Sequence, residues 1–262
     1  MSKKLLIECD DGTILDLYPG VKTLVEKKPM VVTEDLGKIF EMAICLLYGI
    51  PYDGKFKYSM LKAELIRDKM LNLKLVFPHA LIHTAKNGAR YDFTGEDDSQ
   101  DIKLSAKTTK KDYKVCPQVI GQPSKKKFCE HFVIDTSSTN EQVKEYIQLN
   151  VKKILKDYFE YTFSSPIVYY NEHKNILWLI TKITDIDFDD SIIEFSHIKK
   201  NKPWNESSSL SIDGLSIGEF QVHNHRDNIK FRWHLVNVMS CFHTGHSGKY
   251  FEIMNLHTLE KI

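Results

Sequence analysis

The chain has 262 residues, enough for one large domain or two small ones, and its composition of 42% hydrophobic and 11% aromatic residues excludes global disorder. Its net charge of +1 excludes a protein that coats nucleic acid through overall positive charge, so a nucleic-acid surface would need local segregation of charge. No signal peptide and no membrane-spanning apolar run is found, and five scattered cysteines suit reduced thiols, so a cytoplasmic protein is expected.

Turn and capping signals define the start of the chain. Residues 3–8 and 13–17 are predicted to pair as a small hairpin around Asp10-Asp11-Gly12. Thr33 then begins a helix, with acids in its first turn, that is predicted to end at Gly49.

A second amphipathic helix is predicted over residues 59–71, and three leucines are interpreted as its core positions: Leu61, Leu65 and Leu71. Residues 77–84 form a candidate strand. His79 and His83 lie four apart, which on a strand is no metal signature, so both are interpreted as ordinary polar positions.

An acidic hairpin is predicted over residues 88–108. Its first strand, residues 90–93, is short and aromatic, and its second, residues 101–108, alternates between apolar and polar positions. The turn between them, residues 94–100, is rich in charge. The second strand is expected to place Ile102, Leu104 and Ala106 on one face.

This hairpin carries three candidate catalytic residues. Asp92 lies on the first strand, whereas Asp101 and Lys103 are expected to share one face of the second. Two close carboxylates repel each other unless a cation lies between them, and Mg²⁺ prefers such hard oxygen ligands. A neighbouring lysine can orient a water molecule and stabilise charge on a phosphate. The alternative is a solvated surface hairpin with a charged edge.

The pattern Asp92, then Asp101-Ile102-Lys103, resembles the active site of the PD-(D/E)xK nuclease superfamily, to which many type II restriction endonucleases belong. Tyr91 stands where a proline often precedes the first aspartate. The resemblance implies an α/β fold with a central mixed β-sheet flanked by helices, additional β-hairpins, and a catalytic core over residues 34–183. It also implies one or two Mg²⁺ ions per active site, held by Asp92 and Asp101.

Glu41 is a fourth candidate catalytic residue. The segment Gly37-Lys38-Ile39-Phe40-Glu41 resembles the first helix of many restriction endonucleases, in which a glutamate reaches toward the metal site. The alternative is a solvated acid on the flank of the apolar stripe of that helix.

A basic tract follows the hairpin, with seven lysines within 21 residues: Lys107, Lys110, Lys111, Lys114, Lys125, Lys126 and Lys127. A solvated charged loop is one interpretation. Beside a phosphate-cleaving hairpin, Lys107, Lys110, Lys125 and Lys126 become candidates for neutralising DNA phosphates. Gln118 is a further candidate polar group near the active site.

The longest helix is predicted over residues 137–163. Its capping box is formed either by Ser138 with Glu141 or by Thr139 with Gln142. This helix is expected to cover the sheet and to lead to a strand at residues 176–183, whose apolar residues are typical of burial on both faces.

The region from residue 192 to residue 262 is interpreted as the DNA-recognition region. A basic loop, residues 199–205, precedes a hairpin over residues 216–234, and residues 243–249 form another polar loop. The hairpin carries side chains that can read base edges and bind phosphates: Gln221, His223, Asn224, Arg226, Lys230 and Arg232. The alternative is a hairpin with a polar outer face.

These patterns predict a single endonuclease domain over residues 1–262. The expected function is Mg²⁺-dependent, sequence-specific cleavage of double-stranded DNA by a homodimeric type II restriction enzyme that leaves 5′-phosphates. Two alternatives stay open: a structure- or mismatch-specific nuclease with the same core, and a non-catalytic binding module. No phosphate loop of the G-x-x-x-x-G-K-[ST] type occurs, so ATP is not an expected partner, and no membrane is expected either.

Overall fold

The computed structural model describes residues 5–8, 14–17, 32–52, 54, 58–85, 89–95, 101–110, 114–115, 122–243 and 250–262. The helices in these ranges are α1 (Val32–Tyr48), α2 (Met60–Lys69), α3 (Leu73–Val76), α4 (Lys125–Phe132), α5 (Asn140–Leu149), α6 (Val151–Thr162), α7 (Ser196–Lys199) and α8 (Leu235–His243). Within the described ranges, no helix combines the length and the apolar character needed to cross a bilayer.

The strands of the first half are β1 (Leu5–Glu8), β2 (Ile14–Leu17), β3 (Leu81–His83), β4 (Phe93–Gly95), β5 (Lys103–Thr109) and β6 (Lys114–Val115). Those of the second half are β7 (Ile167–Asn171), β8 (Ile176–Lys182), β9 (Ile193–Phe195), β10 (Ser207–Ile212), β11 (Leu215–Val222), β12 (Ile229–His234) and β13 (Phe251–Asn255).

Three sheets are built from these strands. A six-stranded sheet has the order β13-β8-β7-β5-β4-β3, and a five-stranded sheet has the order β6-β12-β11-β10-β9. In the larger sheet β5 and β7 are parallel, whereas the other neighbouring strands are antiparallel. Strands β1 and β2 form the predicted N-terminal hairpin. The expected α/β fold with a mixed sheet, flanking helices and additional β-hairpins is therefore confirmed.

Helix α1 covers one face of the six-stranded sheet. Its buried residues Leu36, Phe40 and Ala43 belong to a core cluster that includes Phe93 and Leu104 of β4 and β5. The helix ends at Gly49 as predicted, in a left-handed conformation (φ 70°) that glycine adopts without steric cost.

Helix α6 lies between the two large sheets. Its Tyr158 ring packs 5.1 Å from Phe231 of the five-stranded sheet, and its Phe159 ring packs 5.5 Å from Phe251 of the six-stranded sheet. The buried indole of Trp233 in β12 donates a hydrogen bond to Thr162 Oγ1 at 3.0 Å. A single aromatic core thereby joins both sheets through one helix.

The long helix predicted over residues 137–163 is in fact two helices, α5 and α6. Asn150 leaves the helical conformation (φ −117°, ψ 19°), and its side-chain amide donates to the Tyr146 carbonyl oxygen at 2.9 Å. Asparagine favours such breaks because its short amide competes for backbone hydrogen bonds. Of the two predicted capping boxes, the pair formed by Thr139 and Gln142 begins α5.

The predicted core positions of α2 are wrong. Leu61, Leu65 and Leu71 are 64%, 57% and 57% exposed. The helix instead packs through Ala63 and Ile66, and Met70 just beyond its end is also buried. A helix can bury one stripe against its neighbour, and here the stripe with Ala63 and Ile66 faces the core.

Two strand predictions also change. The strand predicted at residues 77–84 is limited to β3, because Phe77 still ends α3 and Pro78 follows it. The strand predicted at 176–183 is β8, but it is preceded by β7, which was not predicted and is buried at every position. Lys125, Lys126 and Lys127, expected in a loop, lie in the first turn of α4.

Candidate active site

The register of β4 and β5 places Asp92 beside β5, an inner strand of the six-stranded sheet. Phe93 pairs with Leu104 and Thr94 with Lys103, so Asp92, just before β4, lies level with the middle of β5. The Asp92 Oδ2 atom accepts hydrogen bonds from the Ala106 backbone N–H at 2.7 Å and from the Lys107 ammonium at 3.1 Å. Its side chain is only 15% exposed, so this carboxylate has a fixed position.

Asp101 and Lys103 form a second acid–lysine pair, but in a more open position. Their side chains lie 2.6 Å apart, and the Asp101 side chain is 82% exposed. The hydrogen bond that Lys103 donates to the Asp101 carboxylate raises the pKa of Lys103, which keeps this ammonium charged. Among the described contacts, none joins either residue to Asp92. The structure therefore brings Asp92 together with Lys107 rather than with Lys103.

Alternation along β5 places both lysines on the face of the strand from which Lys107 reaches Asp92. Lys103, Ser105 and Lys107 share one face of the strand, while Leu104 and Ala106 pack into the α1 core on the other, as predicted. The Ser105 backbone N–H donates to the Pro166 carbonyl oxygen at 3.0 Å, so the pairing of β5 with β7 begins at the α6–β7 loop. Sequence reasoning missed the Asp92–Lys107 pair, although the alternation of β5 was a usable signal.

Glu41 is not the solvated flank residue of the alternative interpretation. It is 6% exposed, and its carboxylate accepts from Lys38 Nζ at 2.8 Å and lies 3.1 Å from His83 Nε2. His83 was expected at an ordinary polar position, yet its side chain is buried and stacks on Tyr52 with ring centroids 5.1 Å apart. The described contacts of Glu41 lie on the α1 side of the sheet, and none of them reaches Asp92.

The described cysteines Cys45, Cys129 and Cys241 are free thiols. Burial, with the nearby Glu41 carboxylate as the second cause, raises the pKa of Cys45 to about 12. This thiol therefore stays protonated at neutral pH and is a core residue rather than a nucleophile.

The predicted recognition hairpin consists of β11, β12 and the turn at residues 223–228. Gln221 pairs with Lys230, and Glu219 pairs with Arg232, so their side chains share the outer face of the five-stranded sheet. The Gln221 amide donates to Glu219 Oε1 at 2.8 Å, which fixes the orientation of that amide. Lys114 forms an ion pair with the same carboxylate.

Side chains of α4 and α5 contact the turn of this hairpin through hydrogen bonds and an ion pair. The Asn224 amide oxygen accepts from Lys144 Nζ at 3.2 Å, and Lys125 Nζ lies 3.2 Å from the Asp227 carboxylate. The backbone carbonyl oxygen of His223 accepts a hydrogen bond from the Asn140 side-chain amide at 2.8 Å. The Arg226 side chain at the tip is exposed, and the described contacts give it no hydrogen-bond or ion-pair partner, while its backbone carbonyl oxygen accepts from the Asn228 N–H at 2.7 Å.

The predicted basic tract is divided between two places. Lys107 pairs with Asp92, and Lys110 follows β5, whereas Lys125 and the exposed Lys126 lie in α4 beside the recognition hairpin. Lys111, Cys116, Gln118, the acidic turn at residues 96–100 and the loop at residues 244–249 lie outside the described residues.

The donor set near Asp92 suits a hard divalent cation that is shared with a substrate. In the described part of the chain, no three His, Cys, Asp or Glu side chains come together as a metal cage. Mg²⁺ does not need one, because it is held in proteins by one or two carboxylates together with waters and substrate phosphates. The fixed Asp92 and the exposed Asp101 fit that requirement.

The chain is 45% identical over 214 residues, which is 81% of its length, to the type II restriction enzyme CviAII of Paramecium bursaria Chlorella virus 1. These residues span 61% of that relative's own length. No protein-family model matches the chain, and no solved structure matches it.

Proposed function

We propose that this protein is a sequence-specific endonuclease of double-stranded DNA, working as type II restriction enzymes do. The observation that carries the proposal is the similarity to CviAII, which extends over 81% of this chain. The sheet supports it independently, because it fixes one carboxylate, Asp92, beside the ammonium of Lys107.

In this proposal, Asp92 and Asp101 hold Mg²⁺. When bound, Mg²⁺ would supply positive charge that polarises the scissile phosphodiester and favours deprotonation of a water molecule. A lysine orients the attacking water and stabilises negative charge on the phosphate. Lys103 is the lysine of the sequence motif, but the contact at 3.1 Å with Asp92 favours Lys107 for this role. Glu41 would act on the metal site from the α1 side of the sheet.

DNA would contact both large sheets. Lys107 in β5 and Lys110 just after it would contact the DNA near the cleaved bond. Lys125, Lys126 and the outer face of the recognition hairpin would provide the remaining contacts. The recognition candidates are Gln221, His223, Asn224, Arg226, Lys230 and Arg232. A palindromic site is cut most simply by a two-fold symmetric homodimer with one active site for each strand.

Incubation of the purified protein with a plasmid and Mg²⁺, followed by sequencing of the ends, tests this function. We expect cleavage at one recurrent sequence, ends that carry 5′-phosphates, and no cleavage after chelation of the metal. Cuts at mismatches or branched structures without a common sequence would instead indicate a structure-specific nuclease. Binding without cleavage of any DNA under these conditions would refute the nuclease.

A further inference from the structure

Arg90 lies two residues before Asp92 in the chain and has no role in the site described above. Its guanidinium carbon is 3.8 Å from the centre of the Tyr161 ring and 5.4 Å from that of Tyr91. Its Nη2 donates to Ser164 Oγ at 3.0 Å, and the Tyr91 hydroxyl lies 3.3 Å from the same oxygen. An exposed arginine is therefore held by a ring face and by a hydroxyl.

This arrangement orders the guanidinium before any ligand arrives. Stacking on an aromatic ring and one hydrogen bond determine the plane of the group, so less conformational entropy is lost when a ligand binds. The guanidinium has five N–H donors, and the described contacts use one of them. The remaining donors suit the two oxygens of a phosphate.

The position of Arg90 relates it directly to the proposed cleavage site. Two residues of chain span at most about 7 Å, so the Arg90 backbone lies close to Asp92. Ser164 precedes Ser165, whose hydroxyl lies 3.3 Å from Ser105 Oγ on the lysine-bearing face of β5. A DNA strand carries one phosphate per about 3.4 Å of helix axis, so a phosphate next to the scissile one lies within reach of an arginine here.

The local charge also favours an anion. Within the described residues, Lys107 pairs with Asp92 and Lys103 pairs with Asp101, but no carboxylate pairs with Arg90. A guanidinium charge attracts the negative charge of a phosphate.

We propose that Arg90, ordered by Tyr161 and Ser164, binds a DNA phosphate adjacent to the scissile one and so positions the strand against Asp92. This inference rests on the proposed function. Arg90 also lies at the carboxyl end of α6, where a cation interacts favourably with the helix dipole. The competing explanation is that Arg90 only caps this end of α6 and stabilises the fold. The experiment must distinguish that role from phosphate binding.

The test compares the full-length wild type with Arg90→Ala, Arg90→Lys and Tyr161→Leu. Arg67→Ala is the matched control, because Arg67 is an arginine of α2 that pairs with Asp68 at 2.8 Å, away from the site. Affinity for a fluorescent plasmid-derived duplex is measured with Ca²⁺ in place of Mg²⁺, from about 50 to about 200 mM salt. Urea unfolding midpoints are measured in parallel.

We expect Arg90→Ala to bind about tenfold more weakly at low salt, as loss of a charge-assisted contact predicts. Its plot of log affinity against log salt should be shallower by about one unit, because one phosphate contact is lost. Arg90→Lys should keep the slope but lose part of the affinity, because it lacks the planar fork. Tyr161→Leu should lie between wild type and Arg90→Ala, and Arg67→Ala should match the wild type.

An unchanged salt slope in Arg90→Ala, with or without a lower unfolding midpoint, would overturn the inference while leaving the nuclease intact. Absence of duplex binding by the wild type would overturn the proposed function and this inference together.

Discussion

Lys103 and Lys107 lie on one face of β5, and they contact different carboxylates. Lys107 bonds to the Asp92 carboxylate and is 15% exposed, whereas Lys103 bonds to Asp101 in an open position. A catalytic lysine must reach the water that attacks the phosphate, and preorganisation by a buried neighbour makes that contact more effective. The contacts favour Lys107 for this role over the lysine of the sequence motif.

The comparison of Lys107→Met with Lys103→Met tests this assignment. Both substitutions keep a long apolar side chain and remove the charge. Loss of a preorganised group in an active site typically costs about 10²–10³ in rate, so we expect that loss for Lys107→Met and a smaller one for Lys103→Met. Single-turnover cleavage at saturating enzyme measures the two rates. The reverse order would return the role to Lys103.

At the scale of elements, the recognition hairpin has a turn that is held by hydrogen bonds and a tip that is exposed. Asn224, first a candidate base reader, bonds to Lys144 and to the Asn205 side chain at 2.8 Å. Its polar atoms are thus engaged in holding the turn. The Arg226 side chain at the tip is exposed and has no described side-chain partner, as is true of the neighbouring His225, and a guanidinium in this position suits contact with a base edge.

Arg226→Ala should lose preference for the cognate site, because a good bidentate contact to a base discriminates by about 1–3 kcal/mol. Lys126→Ala is the matched comparison, since this exposed lysine of α4 is expected to contact phosphate and to weaken binding to all duplexes alike. The measurement is the affinity of each variant for cognate and scrambled duplexes. If the ratio of cognate to scrambled affinity were unchanged in Arg226→Ala, the base-reading residues would instead be expected on the outer face around Gln221.

Helix α2 offers a direct test of which of its faces is packed. Ile66 is 3% exposed and belongs to the core cluster under α1, whereas its neighbour Leu65 is mostly exposed. Ile66→Ala should lower the free energy of unfolding by about 2–5 kcal/mol through lost burial and a cavity. Leu65→Ala should change it by no more than about 0.5 kcal/mol. Urea denaturation measures both, and equal losses would show that the leucine face is also packed.

Local patterns predicted some elements well and failed where distant contacts decide the outcome. The alternation in β11 and β12 identified that hairpin and its buried face, since Phe220, Phe231 and Trp233 are all buried. The Asp92–Lys107 contact depends on strand register, which motif spacing does not reveal. Likewise, Glu41 and His83 are 42 residues apart and pair only after α1 packs on the sheet.

At the scale of the whole molecule, α6 connects the proposed cutting and reading parts. Its last turn carries Tyr161 beneath Arg90 and Thr162, which accepts from Trp233 of the five-stranded sheet at 3.0 Å. Because a packed interior transmits strain, a displacement of the recognition hairpin would also displace the strand region next to Asp92.

The proposed homodimer predicts a definite stoichiometry on DNA. A palindromic site presents two equivalent half-sites, so two chains of 30.5 kDa should bind one duplex. Sedimentation of the protein on a duplex that contains one mapped site, with Ca²⁺ in place of Mg²⁺, measures the mass of the complex. A single chain per site would show that a monomer cuts the two strands in succession.

The most direct measurement of the central claim is plasmid cleavage with Mg²⁺ by the wild type, Asp92→Asn and Asp101→Asn. Asparagine keeps the size of the side chain but removes the charge that holds the metal. We predict that Asp92→Asn abolishes detectable cleavage while it still binds the duplex in Ca²⁺, and that Asp101→Asn also fails to cut. Cleavage by Asp92→Asn at the wild-type rate would contradict the account.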